Sequence, residues 1–109
     1  MTEHFPEAIR SLPDFDGLFD AHRLAGEGCD VLFAIYPAGT EIEPHTHETD
    51  NVGVVTAGEL VLAVDGAERR FAPGQWYRVP SGTEHAARFE VDTAEIEFWF
   101  AAEGGTAST

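Results

Sequence analysis

Apolar residues in this chain come in short runs, each closed by glycine or proline, and that rhythm predicts strands and turns from residue 18 onward. Residues 18–25 and 29–36 read as two strands joined by the turn Gly26-Glu27-Gly28, with Pro37-Ala38-Gly39 closing the second. Residues 52–56 and 59–64 flank Ala57-Gly58, and Asp65-Gly66 then marks a type I′ hairpin, because both residues tolerate positive φ. The return strand, 67–71, is broken by Pro73-Gly74, and 76–79, 85–91 and 94–101 complete the set. The one helical stretch is 5–12, entered at Pro6 and stopped by Pro13. Short strands at this spacing predict a sandwich or barrel. The run 31–36 is apolar on both faces, which suits a strand packed on a second sheet on one side and on a subunit or cavity on the other.

A chain of 109 residues is one domain with a modest core. The pattern divides it into an N-terminal extension (1–17), the β-domain (18–102) and a small, polar, frayed tail (103–109). There is no lysine, and six arginines face 20 acidic residues, for a net charge of −14. Such a surface repels phosphate, which excludes nucleic acid and anionic membranes as partners. No apolar run reaches the roughly 20 residues of a membrane span, and the acidic N-terminus is unlike a secretory signal, so a cytoplasmic location is expected. The single cysteine, Cys29, cannot form an internal disulfide and reads as a strand residue.

The chemistry concentrates in His45-Thr46-His47 and the distant His85. In a strand, residues two apart project to the same side, so His45 and His47 point together and Thr46 away. Pro44 stiffens the approach, the following turn brings Asn51 back over the same space, and the turn from Pro80 to Glu84 delivers His85 at the start of a strand. Three imidazoles from two segments suit one face of a divalent transition ion and leave positions open for water or substrate. His4 and His22 lie outside this frame and read as surface or packed histidines.

The frame resembles that of the cupin family. Its first motif runs Gly, five residues, His-x-His, three or four residues, Glu, six residues, Gly; Gly39, His45, His47 and Gly58 fall on it, with Asn51 where Glu is usual. Its second runs Gly, five residues, Pro-x-Gly, two residues, His; Gly74, Pro80, Gly82 and His85 match, and Phe89 stands where an Asn often follows. The resemblance covers roughly residues 30–100. It implies an all-β double-stranded β-helix, or jelly-roll, barrel with a metal inside, held by His45, His47, Asn51 and His85, and assembled as a homodimer. The ion (Ni, Zn, Mn or Fe) is left open. An amide in place of the carboxylate leaves the ion's 2+ charge uncancelled, which favours Lewis-acid chemistry over the two-His, one-carboxylate iron centre of many oxygenases. The arrangement is also similar to cupins that linearise cyclic ketouronates, which carry an acid and an aromatic on the last strand followed by an Arg. Glu97 and Trp99 match the first two, whereas no basic residue follows Arg88.

Alternatives stay open at this level. Asn51 is a ligand or only a turn residue, and Glu48 or Asp50 can instead bring a carboxylate to the ion. Glu95 and Glu97 share one face of the last strand and Phe98 and Phe100 the other; if the acids face the cavity, Glu97 is the first candidate for a general acid or base. Arg78 and Arg88 either orient an anionic ligand or pair with surface acids. Three functions are compatible: a metal-dependent enzyme isomerising, opening or eliminating a small oxygen-rich molecule such as a sugar acid or keto acid; an Fe(II)-dependent dioxygenase; and a non-catalytic ligand- or metal-binding module.

Overall fold

A computed structural model of the chain describes residues 4–15 and 20–100. Among these, one helical turn, α1 (Glu7–Arg10), precedes nine strands: β1 (Asp20–Ala25), β2 (Cys29–Tyr36), β3 (Glu41–His45), β4 (Asn51–Ala57), β5 (Leu60–Val64), β6 (Ala67–Phe71), β7 (Trp76–Val79), β8 (His85–Arg88) and β9 (Thr93–Phe100). All strand pairs are antiparallel, in a five-stranded sheet of order β1-β2-β9-β4-β7 and a four-stranded sheet of order β3-β8-β5-β6. Both expected domain boundaries, at 17–18 and 102–103, and the whole tail lie outside the described residues.

The hairpin expected at Asp65-Gly66 forms with φ of 49° and 83°, the backbone a type I′ turn demands, and Val64 pairs with Ala67 across it. The helix is shorter than expected: Pro6 opens it in an extended conformation, and it stops at Ser11, two residues before Pro13. β8 also ends early, because Phe89 leaves the ladder and exchanges backbone hydrogen bonds with the loop before β3 (Gly39 N–H to Phe89 O, 2.8 Å; Phe89 N–H to Thr40 O, 3.0 Å). No apolar alternation marks β3, whose sequence is Glu-Ile-Glu-Pro-His. It forms because it is an edge strand, bonded only to β8, where a proline costs no ladder bond on its free side.

β2 alternates between buried and half-buried positions along its length, with Leu32, Ala34 and Tyr36 inside and Val31, Phe33 and Ile35 on the outer face. The inner set joins Val55, Leu60, Leu62, Tyr77, Val79, Phe89 and Trp99 in one core shared by both sheets. Between them remains a cavity of about 540 Å³, walled by apolar residues of the four-stranded sheet (Ile42, Leu60, Leu62, Ala87) and by polar and aromatic residues of the five-stranded one. Gly53 in β4 makes that wall possible. It lies between Tyr77 and Glu97 in the ladder, and a Cβ on it would overlap the Tyr77 phenol. Gly53→Ala should therefore force Tyr77 aside and lower stability by about 1–3 kcal/mol, the usual range for overpacking a tight core. The shift is read as a lower urea midpoint at unchanged m-value.

Candidate metal centre and acid pocket

His45 ends β3, His85 begins β8, and the two are direct partners in the ladder. The register between these strands slips by one residue between Ile42 and His45. That extra residue matters, because alternation alone would place positions 42 and 45 on opposite faces. With the bulge, Ile42 and His45 both border the cavity. His47 is not on a strand: it lies in the loop after β3, and the expectation that the histidine pair projects from one strand is corrected to that extent.

Three contacts fasten that loop to the turn before His85. Gly82 N–H donates to His47 O (2.8 Å), Ser81 N–H to Asp50 Oδ1 (2.9 Å), and Arg78 to Asp50 Oδ2 (2.7 Å). Arg78 and the Ser81 amide hold Asp50 below the usual carboxylate range. Asp50 thus serves as a clasp on the outside, and Glu48 is exposed and does not border the cavity. Asn51 is buried, borders the cavity and donates from Nδ2 to Phe98 O at 3.4 Å.

The three imidazoles converge. One nitrogen from each lies within 4.8 Å of the others, and the Nε2 atoms of His45 and His47 are 2.9 Å apart. The Nδ1 atoms of His45 and His85 face the carbonyls of Glu43 (2.8 Å) and Thr83 (3.0 Å). A carbonyl only accepts, so each Nδ1 carries the proton and each Nε2 presents a lone pair. Locking the far ring nitrogen on a backbone carbonyl is how metal-binding histidines are held. Burial, with His45 and His85 alongside, pulls His47 down to about 4, and burial also lowers His85. With two rings locked by backbone carbonyls and all three aimed at one point, this donor set fits a divalent transition ion.

β9 lays the polar wall beside it. Thr93, Glu95, Glu97 and Trp99 face inward, at most 8% exposed, while Phe98 and Phe100 take the outer face. The open question of which face lines the cavity is thus decided for the acids. Trp99 meets His47 edge to face, with centroids 4.6 Å apart. Glu97 accepts from the Tyr36 hydroxyl and from Trp99 Nε1 (3.1 Å), and Glu95 accepts from the Tyr77 hydroxyl at 2.5 Å. Burial pushes Glu97 up to about 7 against the pull of these donors, and burial together with Glu97 raises Glu95 well above the ordinary carboxyl value. Sequence reasoning missed Tyr36 and Tyr77. The signal for Tyr36 was its parity with Leu32 and Ala34, whereas nothing along β7 sets Tyr77 apart from Trp76 and Arg78, both of which face outward.

The other candidates fall away from the site. His4 bonds Thr56 and His22 reaches Leu12 O and Asp14. Arg88 pairs with Glu68 and Glu90, so both weighed arginines are taken by surface acids. Cys29 is a half-buried strand residue whose thiol burial raises.

Two sheets enclosing an inward histidine triad and its glycine-proline turns define a small jelly-roll of the cupin class. The chain belongs to that family: the cupin domain model (Cupin_2) matches residues 32–104. It is 36% identical over 68 residues to the H2HPP isomerase of Bacillus subtilis, an alignment covering 62% of this chain and 29% of that one. The chain thus spans about three-tenths of that curated relative. Among solved structures, it is similar to KdgF from Halomonas sp. (TM-score 0.71, 25% identity, 86% of this chain and 88% of that one). It also resembles an RmlC-like cupin from Shewanella frigidimarina (TM-score 0.77, 23% identity, 92% of each chain), which shows the fold. A third likeness is to the DMSP lyase DddQ from Ruegeria pomeroyi (TM-score 0.68, 26% identity, 76% of this chain and 47% of that one).

A pH test follows from Glu97. Its folded pKa of about 7 lies above the ordinary 4.5, so between those values the folded state binds the extra proton. Its contribution is full below pH 4.5 and is lost as pH rises through about 7. Glu97→Gln removes that loss, so urea midpoints of metal-free protein should shift in favour of the variant on going from pH 5 to pH 8.

Proposed function

We propose that the protein is a metal-dependent isomerase or lyase acting on a small oxygen-rich molecule, such as a sugar acid or keto acid. The observation that carries this reading is the juxtaposition of a convergent histidine triad, two of its rings locked by backbone carbonyls, with a buried carboxylic acid in the same cavity. His45, His47 and His85 would hold the ion, with Asn51 as a fourth ligand, inside a jelly-roll closed as a barrel. A divalent ion held there supplies Lewis acidity toward a carbonyl or hydroxyl oxygen.

Glu97 is the residue for proton transfer. Burial raises its carboxyl and a bound divalent ion would lower it, and the balance of the two suits a group that accepts and returns a proton, as shifting a double bond or opening a ring requires. Tyr36 and Trp99 donate to its two oxygens and so fix the carboxyl plane. Burial by both sheets keeps bulk water from competing for that proton. The likeness to an isomerase and to a lyase supports this class of reaction. Asp50 held outside and Glu48 exposed speak against a carboxylate in the ligand set, and so against a two-His, one-carboxylate iron centre. The homodimer expected from the family is in keeping with an apolar outer face on the five-stranded sheet, where Trp76, 59% exposed, stacks on Phe98.

Elemental analysis of untagged protein should find about one metal per chain, falling at least tenfold in His47→Ala. Turnover of an active sugar-acid or keto-acid substrate should disappear on chelation and return with the ion. Full turnover by the stripped protein would remove the metal from the mechanism.

A further inference from the structure

We infer that the substrate of this cavity joins an oxygen-bearing acid end to a hydrocarbon body, alkyl or carbocyclic, that lies against β3, β5 and β8. The placing of the acid end at the histidines rests on the function proposed above; the hydrocarbon body does not.

The two walls of the cavity differ in what they can bond. β5 lies between β6 and β8, and β8 between β5 and β3, so each has a ladder on both sides. Their backbone N–H and C=O groups are spent in those ladders and do not turn toward the cavity. Side chains decide the rest. Beyond His45 and His85 at one end, this wall sends Ile42, Leu60, Leu62 and Ala87 inward. Phe89, 2% exposed, and Phe15 extend the same hydrocarbon surface. Glu41 and Glu43 of β3 border the space as well, but both are exposed and also line the groove on the outer face of this sheet.

The polar groups of the opposite wall are engaged with one another. Tyr36 and Trp99 donate to Glu97, Tyr77 donates to Glu95, and Asn51 donates to Phe98 O. A molecule with hydroxyls on successive carbons therefore finds partners along one edge at most. Each hydroxyl turned toward β5 or β8 would give up water and meet only hydrocarbon, at a cost of about tenfold in affinity. An alkyl or ring body gains by leaving water for the same surface. Of the sugar acids and keto acids proposed above, the wall selects keto or hydroxy acids with an unsubstituted carbon frame.

2-Hydroxyhexanoate and gluconate share a chain length and an α-hydroxy acid head, and differ only in the hydroxyls on the remaining carbons. Calorimetric titration of both into the protein as purified, and again after chelation, separates the body from the head. 2-Hydroxyhexanoate should bind at least about tenfold more tightly. Ala87→Ser, which puts one hydroxyl on the wall, should narrow that ratio at least about threefold. Equal or tighter binding of gluconate by wild-type protein overturns the proposal, as does the failure of 2-hydroxyhexanoate to saturate it by about 100 mM. The wild-type comparison decides the matter even if the variant fails to fold. Chelation should weaken both acids and leave their ratio in place. Affinities that chelation does not change sink the metal reading alone, because the preference for a hydrocarbon body stands without it.

Discussion

The pairing of β3 with β8, carrying one extra residue on β3, is the constraint on which the rest of the site depends. Antiparallel pairing places His45 opposite His85, so two imidazoles from segments forty residues apart start from neighbouring Cα positions. The bulge between Ile42 and His45 turns the strand by one position, so an apolar residue and a ligand-type residue both face inward. The third imidazole, off the strand, is brought in by the Gly82, Ser81 and Arg78 contacts to its loop. Each of these contacts is small. Together they remove the freedom of a loop that would otherwise leave His47 free to turn away from His45 and His85, which is the sense in which the triad is preorganised.

The opposite wall holds groups that a core ordinarily rejects. Two carboxyls among hydrocarbon and rings are costly when ionised, and the fold meets this by letting them keep protons and by giving each a phenol donor. Tyr36 stacks flat on Phe89 at 4.1 Å, and Tyr77 occupies the space left by Gly53, so neither phenol can swing away from its acid. The apolar surface of the four-stranded sheet across the cavity keeps water scarce around them. A cavity built this way combines reserve protons on one wall with a convergent set of metal-type donors on the other.

What the sequence by itself determined was eight of the nine described strands and the three histidines that the fold brings together. Strand ends marked by Gly or Pro, the Asp65-Gly66 hairpin and the histidine spacing are local properties, set by backbone sterics and by the period of two, and they were legible residue by residue. The limits appear where tertiary contacts override local pattern. β3, with two glutamates and a proline in five residues, exists only because β8 offers it a ladder. Asp50 could be read as ligand or surface group until Arg78 and the Ser81 amide, some thirty residues on, were seen to claim it. The two faces of β9, one acidic and one aromatic, carry equivalent alternation. Only the partner sheet decided that Glu95 and Glu97 point inward, because the phenols that satisfy them come from β2 and β7. Periodicity tells which residues share a face; burial of that face depends on what packs against it, and that is a property of the assembled sheets.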